Sequence, residues 1–307
     1  GTPGAEAALK DMNRAGLPAR AEAIVLTIAD VWLPPDTENT DPVFPDPAAA
    51  SRIDARHHAL EAIAAARQTA ARGEEKLRVM FPHWLVRHAA KADSPAWAII
   101  GEARRWSADL VILGSHGRSL LHRIFLGSVS FKVAAEAACS VRIFRPSERQ
   151  NDPELRVVIG VDGSTDGKAA VEEVLDREWP RLTEFHLVTV IDHKTKTAAL
   201  LNDEWPRGED WVPAMLEEQA EKFRSRQLNA STHIVDGDVK SALLENAERW
   251  GADCIFLGAR GVDHQDRLFL GTSASAVATR AHCSVELVRS KAARANVAKS
   301  KPASAAI

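Results

Sequence analysis

Twice along the chain, a short apolar run is followed by glycine, two residues, glycine, nine residues, glycine and then a hydroxyl residue. The first instance is Gly114, Gly117, Gly127 and Ser128; the second is Gly258, Gly261, Gly271 and Thr272. Glycine admits positive φ and keeps Cβ atoms out of the path of a ligand approaching the backbone. A helix opening at Gly127-Ser128 or Gly271-Thr272 points its free N–H groups and positive dipole end at an anion, with the hydroxyl as a further donor. The chemistry these parts suit is phosphate binding. Glycines also serve turns and caps, so one instance would say little; two, each between an apolar run and a helical stretch, say more. Neither GxxxxGK[ST] nor GxGxxG occurs, which excludes a P-loop and the dinucleotide fingerprint.

The signature belongs to a longer repeat. Asp109 to Arg142 aligns without a gap on Asp253 to Glu286 at an offset of 144, with 14 of 34 positions identical. Upstream, Gly1 to Ala8 faces Gly163 to Ala170 at an offset of 162, so the first copy is 18 residues longer in its middle. The surplus falls in LPPDTENTDPVFPDP, Leu33 to Pro47, whose prolines and acids suit a surface excursion. In the second copy an apolar run, Arg156 to Val161, leads into Asp162-Gly163-Ser164, whereas the first copy starts at the position matching Gly163. Its opening strand and the aspartate matching Asp162 are expected upstream of Gly1, since a sheet lacking that strand leaves backbone groups unpaired.

The elements that must position the signature are clearest in the second copy. Val157 to Val161 is a continuous apolar run, as in a strand covered on both faces. A helix is expected from Lys168 to Trp179, stopping near Pro180, then a strand from Phe185 to Ile191. Val212, Leu216, Gln219 and Phe223 recur at helical spacing; Ser231 to Val235 reads as a strand and Val239 to Trp250 as a helix. Cys254 to Leu257 and Ser284 to Val288 complete five strands. The alternation predicts an α/β fold: two doubly wound, parallel-sheet, Rossmann-like domains in tandem, with ligands outside the carboxyl ends of the strands. The expected domains are 1–147, with an insertion about 33–50, and 154–290; 291–307, rich in Ala, Lys and Ser, is expected to be a disordered tail.

Composition narrows the class. The 307 residues are 45% hydrophobic and 26% charged, with 39 basic against 42 acidic residues and a net charge of −3, so no basic face is offered to nucleic acid or anionic lipid. No apolar run reaches the roughly 18 residues that span a bilayer, and a cytoplasmic protein is expected. Cys139, Cys254 and Cys283 have neither disulfide nor metal-knuckle spacing. His57, His58 and His122 lack acidic or cysteine partners at ligand spacing and read as exposed.

With these motifs in view, the chain resembles the universal stress protein family, in its Val161-Asp162-Gly163-Ser164 opening, the Ala108-Asp109 and Ala252-Asp253 lead-ins, the glycine signature, and the closing Cys139-Ser140-Val141 and Cys283-Ser284-Val285. The family commonly has proline where Ser140 and Ser284 stand. The resemblance implies an adenine nucleotide α-hydrolase-like fold binding ATP, with magnesium. In the second copy Val161 would be a nucleotide-binding residue, Asp162 would contact the ribose side and Val190 would line the adenine pocket. Leu257, Gly258, Arg260 and Gly261 would wrap the nucleotide, and Gly271, Thr272 and Ser273 would hold its phosphates. In the first copy Ile28, Leu113, Gly114, His116, Gly117, Gly127, Ser128 and Val129 match.

Blander roles stand beside these. His116 and Arg260 are phosphate donors or solvated loop side chains, Asp162 a ribose contact or a turn closer, and Ser164 an N-cap. Arg123 and Arg267 are phosphate contacts or interdomain salt bridges, and Trp205 and Trp211 part of a lid or of a packed loop. No catalytic base, activated nucleophile or metal-binding carboxylate pair is apparent. The expected function is therefore that of an ATP-binding stress-response regulator, not an enzyme, with little or no hydrolysis, acting on an unidentified protein partner. The alternatives are a nucleotide-free scaffold of the same fold, or an adenylate-forming or phosphotransfer enzyme, for which HxGH, KMSKS and SGGxDS are all missing. Val141 to Phe144 and Val285 to Val288 are the expected contact of an internal pseudo-dimer, with a homodimer of whole chains also open.

Overall fold

In the computed structural model, residues 3–34, 49–115, 126–147, 149, 152–191, 211–261 and 270–290 are described. The Leu33 to Pro47 excursion lies mostly outside them, as do His116, Gly117, His122, Arg123, Trp205, Arg267 and the stretch 291–307. The chain forms two compact units: Ala19–Glu102, and residues 2–18 with those from 103 onward.

In the first unit, β1 (Glu22–Ala29) and β2 (Leu85–Ala92) pair in parallel. The connection between them contains α2 (Ala49–Met80), which packs on both strands, as a parallel crossover requires. α3 (Pro95–Arg105) follows, its last three residues lying past the end of this unit at Glu102.

The second unit holds a seven-stranded sheet in the order β3-β4-β9-β8-β5-β6-β7. Its strands are β3 (Leu110–Gly114), β4 (Ser140–Phe144), β5 (Leu155–Gly160), β6 (Thr183–Ile191), β7 (Asn229–Asp236), β8 (Cys254–Gly258) and β9 (Ser284–Val288). From β9 to β7 all neighbours are parallel, with β5 central. The chain moves outward through β6 and β7, then returns to the other side of β5 for β8 and β9. This reversal opens a crevice at the carboxyl ends of β5 and β8, the usual ligand position in such sheets. The helices of this unit are α1 (Pro3–Asp11), α4 (Ser128–Glu136), α5 (Thr165–Leu175), α6 (Trp211–Ser225), α7 (Val239–Trp250) and α8 (Thr272–Arg280). The second copy is thus the expected doubly wound α/β domain. Among the described residues, no strand joins β1 to β3 as β5 joins β6 to β8.

Strand burial explains the continuous apolar runs. Val157, Ile159, Phe185, Leu187, Leu216, Phe223 and Phe256 share one core. Trp179 meets Phe185 and Phe256 edge-on, and its indole N–H donates to the Val174 carbonyl at 2.7 Å.

The copies join where expected. β4 and β9 pair antiparallel, Val141 with Leu287, Arg142 with Glu286 and Ile143 with Val285. Around this seam equivalent residues exchange equivalent bonds. The Arg145 guanidinium donates to the carbonyls of Ala278 and Thr279 in the last turn of α8, and that of Arg289 to Ala134 and Ala135 in the last turn of α4. Each brings positive charge to a helix carboxyl end. The Arg145 amide donates to Ser284 Oγ and the Arg289 amide to Ser140 Oγ, both at 3.2 Å. These acceptors are the two serines that stand where the family commonly has proline; proline has no hydroxyl to offer.

Candidate functional site

The crevice is built first from the turn after β5. Val161 prolongs the sheet: its amide donates to the Val188 carbonyl, and its carbonyl accepts the Thr189 hydroxyl at 2.7 Å. Gly163 then takes a φ of 78°, and the Asp162 carboxylate folds back to accept the Ser164 amide at 2.9 Å. Ser164 caps α5, its hydroxyl accepting the Gly167 amide at 2.9 Å. Burial pushes the Asp162 carboxyl above its usual range, against the hydrogen bonds from Ser164. A Cβ at Gly167 would lie 2.4 Å from Asp162 Oδ1, so the helix start has room for this carboxylate only because a glycine stands there.

A second carboxylate ties three segments together. Asp166, 3% exposed, accepts Arg260 Nε at 2.8 Å and Nη2 at 3.2 Å, and the Ser290 amide at 3.1 Å. Burial acts to raise its pKa, but the bonds from Arg260 and Ser290 outweigh burial and hold the carboxyl below its usual range. The backbone of the same loop is fixed too, since the Arg260 carbonyl accepts the Ser164 hydroxyl at 3.3 Å.

β8 ends hard against this structure. A Cβ on Gly258 would come 2.6 Å from the carbonyl carbon of Asp166 and the amide nitrogen of Gly167. The first copy repeats the approach, with a Cβ on Gly114 falling 2.7 Å from the carbonyl carbon of Gly4. The sequence reading credited the signature glycines with positive φ as well as room. Among those described, Gly114, Gly127, Gly258, Gly261 and Gly271, none has positive φ; Gly114 and Gly258 supply close packing and Gly261 space for the Asp162 carboxylate.

The helix starts are the site's most distinctive part. α8 opens from Gly271 at φ −60° and ψ 151°, and α4 from Gly127 at φ −63° and ψ 151°, neither with a side-chain cap. The same bond is made at each start, the Gly271 amide donating to Ala259 and the Gly127 amide to Ser115. The first intrahelical bonds run from Ser275 to Gly271 and from Phe131 to Gly127. The amides of Thr272, Ser273 and Ala274, and of Ser128, Val129 and Ser130, precede those bonds and have no helical acceptor. Thr272 and Ser128 are exposed.

The structure therefore gathers Asp162, Gly258, Arg260, Gly261 and Gly271 of the second copy around one loop. Thr272 and Ser273 follow it at the start of α8. Val161, Val190 and Leu257 stand buried at the ends of their strands. Arg260 spends its guanidinium on Asp166. In the first copy Leu113, Gly114, Gly127, Ser128 and Val129 lie in the second unit, while Ile28 lies in β1 of the first. β1 and β2 end there at a cavity of about 370 Å³ lined by Asp30, Val31, Trp32, Leu33, Ala92, Asp93 and Ser94. Sequence reasoning missed the Asp166–Arg260 pair, whose members are 94 positions apart; the first copy carries Gly4 where the second has Asp166, so the repeat gave no signal. It also missed Arg145 and Arg289, although they recur at the repeat offset directly after the closing strands. Among the described residues no group of three His, Cys, Asp or Glu could hold a metal ion, and no helix is long and apolar enough to cross a membrane.

Comparison with known proteins agrees with this architecture. The model of the universal stress protein family matches residues 1–145 and again 155–289. Universal stress protein A homolog 2 of Coxiella burnetii is 29% identical over 146 residues, covering 46% of this chain and 97% of that protein. A universal stress protein of Mycolicibacterium smegmatis is 27% identical over 187 residues, covering 60% of this chain and 62% of its own length. The crystal structure of a universal stress protein from Archaeoglobus fulgidus shares the fold, with a TM-score of 0.64 at 20% identity over 94% of this chain and 95% of that one. Matched twice by the family model and folded around the repeated signature, the chain is a tandem member of the universal stress protein family.

Proposed function

We propose that the second copy binds an adenine nucleotide, ATP with Mg²⁺, and that the protein acts as a nucleotide-dependent stress regulator with little or no hydrolysis. The observation that carries this reading is the uncapped start of α8 behind Gly271 at the mouth of the β5/β8 crevice, a helix dipole end with free amides and an exposed hydroxyl at Thr272. Its exact repetition at α4 supports the same use in the first copy. The residues present fit a phosphate group: three amides and a hydroxyl, with no side-chain cap on the helix start among the described residues. Magnesium would be held chiefly by the phosphates and water, as it commonly is. What supports slight turnover is that the described carboxylates nearby, Asp162 and Asp166, are committed to turn and loop.

Ligand at 100 times its dissociation constant stabilises a protein by about 2.7 kcal/mol, so MgATP should raise the melting temperature of the parent chain. Thr272→Asp places a carboxylate in the first turn of α8, where it suits the dipole, and is expected to keep the fold while removing the second copy's share of the MgATP shift. An unchanged shift in Thr272→Asp, or none in the parent, would sink the reading.

The engagement of Arg260 by Asp166 favours a second reading, a nucleotide-free scaffold in which the loop is fixed for its own sake. Mass analysis of ligand released from freshly purified protein separates the two.

A further inference from the structure

We propose that Arg142 and Glu286 make the β4–β9 seam selective for unlike copies, so that each chain closes on itself rather than exchanging copies with a second chain. The two residues are the same position of the repeat, 144 apart, and they face each other in the strand register. They therefore stand where any local twofold axis of the seam must pass, and a residue on such an axis would face itself if two identical copies paired. Elsewhere along β4 and β9 and just beyond their ends the chemistry is alike on both sides. Val141 and Ile143 meet Leu287 and Val285, the two serines accept the two arginine amides, and Arg145 and Arg289 reach the same two helical carbonyl positions. Two first copies, or two second copies, would satisfy all of those contacts. Among these strand and strand-end residues only the axial position tells them apart; farther out, Arg177 donates to the Ala15 carbonyl and Arg14 pairs with Asp253 across the copies.

That position is buried, Arg142 at 2% and Glu286 at 0% exposure, and Arg142 Nη1 meets Glu286 Oε2 at 3.2 Å. Each charge has a further partner from its own copy: Asp11 Oδ2 accepts Arg142 Nη2 at 2.8 Å, and Arg177 Nη1 donates to Glu286 Oε2 at 2.9 Å. Arg177 also pairs with Glu173 at 2.9 Å. Like pairing would keep those flanking partners but lose the central bond, and would bury arginine against arginine or glutamate against glutamate. Selectivity by a disfavoured alternative of this kind is a common route to partner choice. A buried ion pair is weak evidence for stability; the structure assigns this one to choosing the partner.

The test uses full-length chains carrying Arg142→Glu, which bear glutamate in both axial positions, and chains carrying Glu286→Arg, which bear arginine in both. Each variant is refolded alone and as an equimolar mixture, and species are counted by light scattering and by energy transfer between differently labelled chains. Alone, each is expected to lose most of its folded yield. The mixture is expected to regain part of it as a species holding one chain of each kind, joined through the parent-like seam between Glu286 of the Arg142→Glu chain and Arg142 of the Glu286→Arg chain, with at least about tenfold more mixed-label pairs than the parent gives. A companion variant, Arg142→Met with Glu286→Met, removes both charges and should stay folded, since apolar replacement of a buried pair is commonly tolerated. Its labelled chains are expected to trade partners where parent chains do not. The proposal fails if the mixture forms no more mixed pairs than the separate variants, or if the methionine chain is as exclusive as the parent.

Discussion

Two pairs of helices in the second unit begin in opposite ways. α5 and α7 are closed by their own side chains: Ser164 accepts the Gly167 amide, and Asp238 the Ser241 amide at 3.0 Å. α4 and α8 begin from glycine, with no side-chain acceptor. Glycine at this position costs only a few tenths of a kcal/mol relative to serine or aspartate, so leaving amides open in both copies is a small sacrifice of stability. The capped helices belong to the scaffold around the crevice, and the open ones present the groups an anion would use. The contrast separates residues that build the site from those that would serve it.

Breaking the scaffold side should have the largest effect. Asp166→Ala leaves the Arg260 guanidinium, whose side chain is 16% exposed, and the Ser290 amide without their carboxylate. Removing one member of a buried pair costs about 3–5 kcal/mol, and the lower end is expected because Arg260 keeps some solvent. Urea unfolding measures it; a loss below about 1 kcal/mol would show that the pair does not hold the loop.

The strands and helices of the second copy were legible because burial on both faces writes continuous apolar runs and helical spacing into the chain, as at Val157–Val161 and Val212–Phe223. The start of α5 was misplaced by three residues, at Lys168 instead of Thr165, because the Ser164 cap begins the helix before its apolar periodicity shows. The seam strands were identified, yet the reason for Ser140 and Ser284 was not, since an acceptor role depends on an amide some 140 positions or more away. The open helix starts could be inferred from glycine spacing. The destination of the Arg260 side chain could not, because a basic residue between two glycines suits a phosphate and a buried aspartate equally well.

Exchanging the cap states tests the contrast at intermediate size. Ser164→Ala should cost about 1 kcal/mol. Gly271→Ser should leave stability within a few tenths of a kcal/mol, because a Cβ there meets its nearest atom, the Ala259 carbonyl oxygen, at 3.4 Å. Its hydroxyl would accept an amide of α8, and MgATP affinity, read by calorimetry, should fall. Equal stability losses at Ser164 and Gly271 would erase the distinction between the two kinds of helix start.

The smallest effect concerns the one cap of the four that titrates. The Ser241 amide holds the Asp238 carboxyl below its ordinary value of 3.8, although the group is fully exposed. A carboxyl whose folded pKa is depressed binds protons more readily in the unfolded chain, so its contribution is complete above about pH 3.8 and fades as pH falls through the lower, folded value. Ser164 cannot titrate, and α4 and α8 have no cap to lose, so only the first turn of α7 should loosen through this route. Hydrogen exchange at the Ser241 amide should therefore gain an acid-dependent acceleration relative to the Gly167 amide, and Asp238→Asn, which keeps an acceptor without a charge, should remove it. If the two amides respond to acid alike in the parent chain, the carboxylate is not what closes α7.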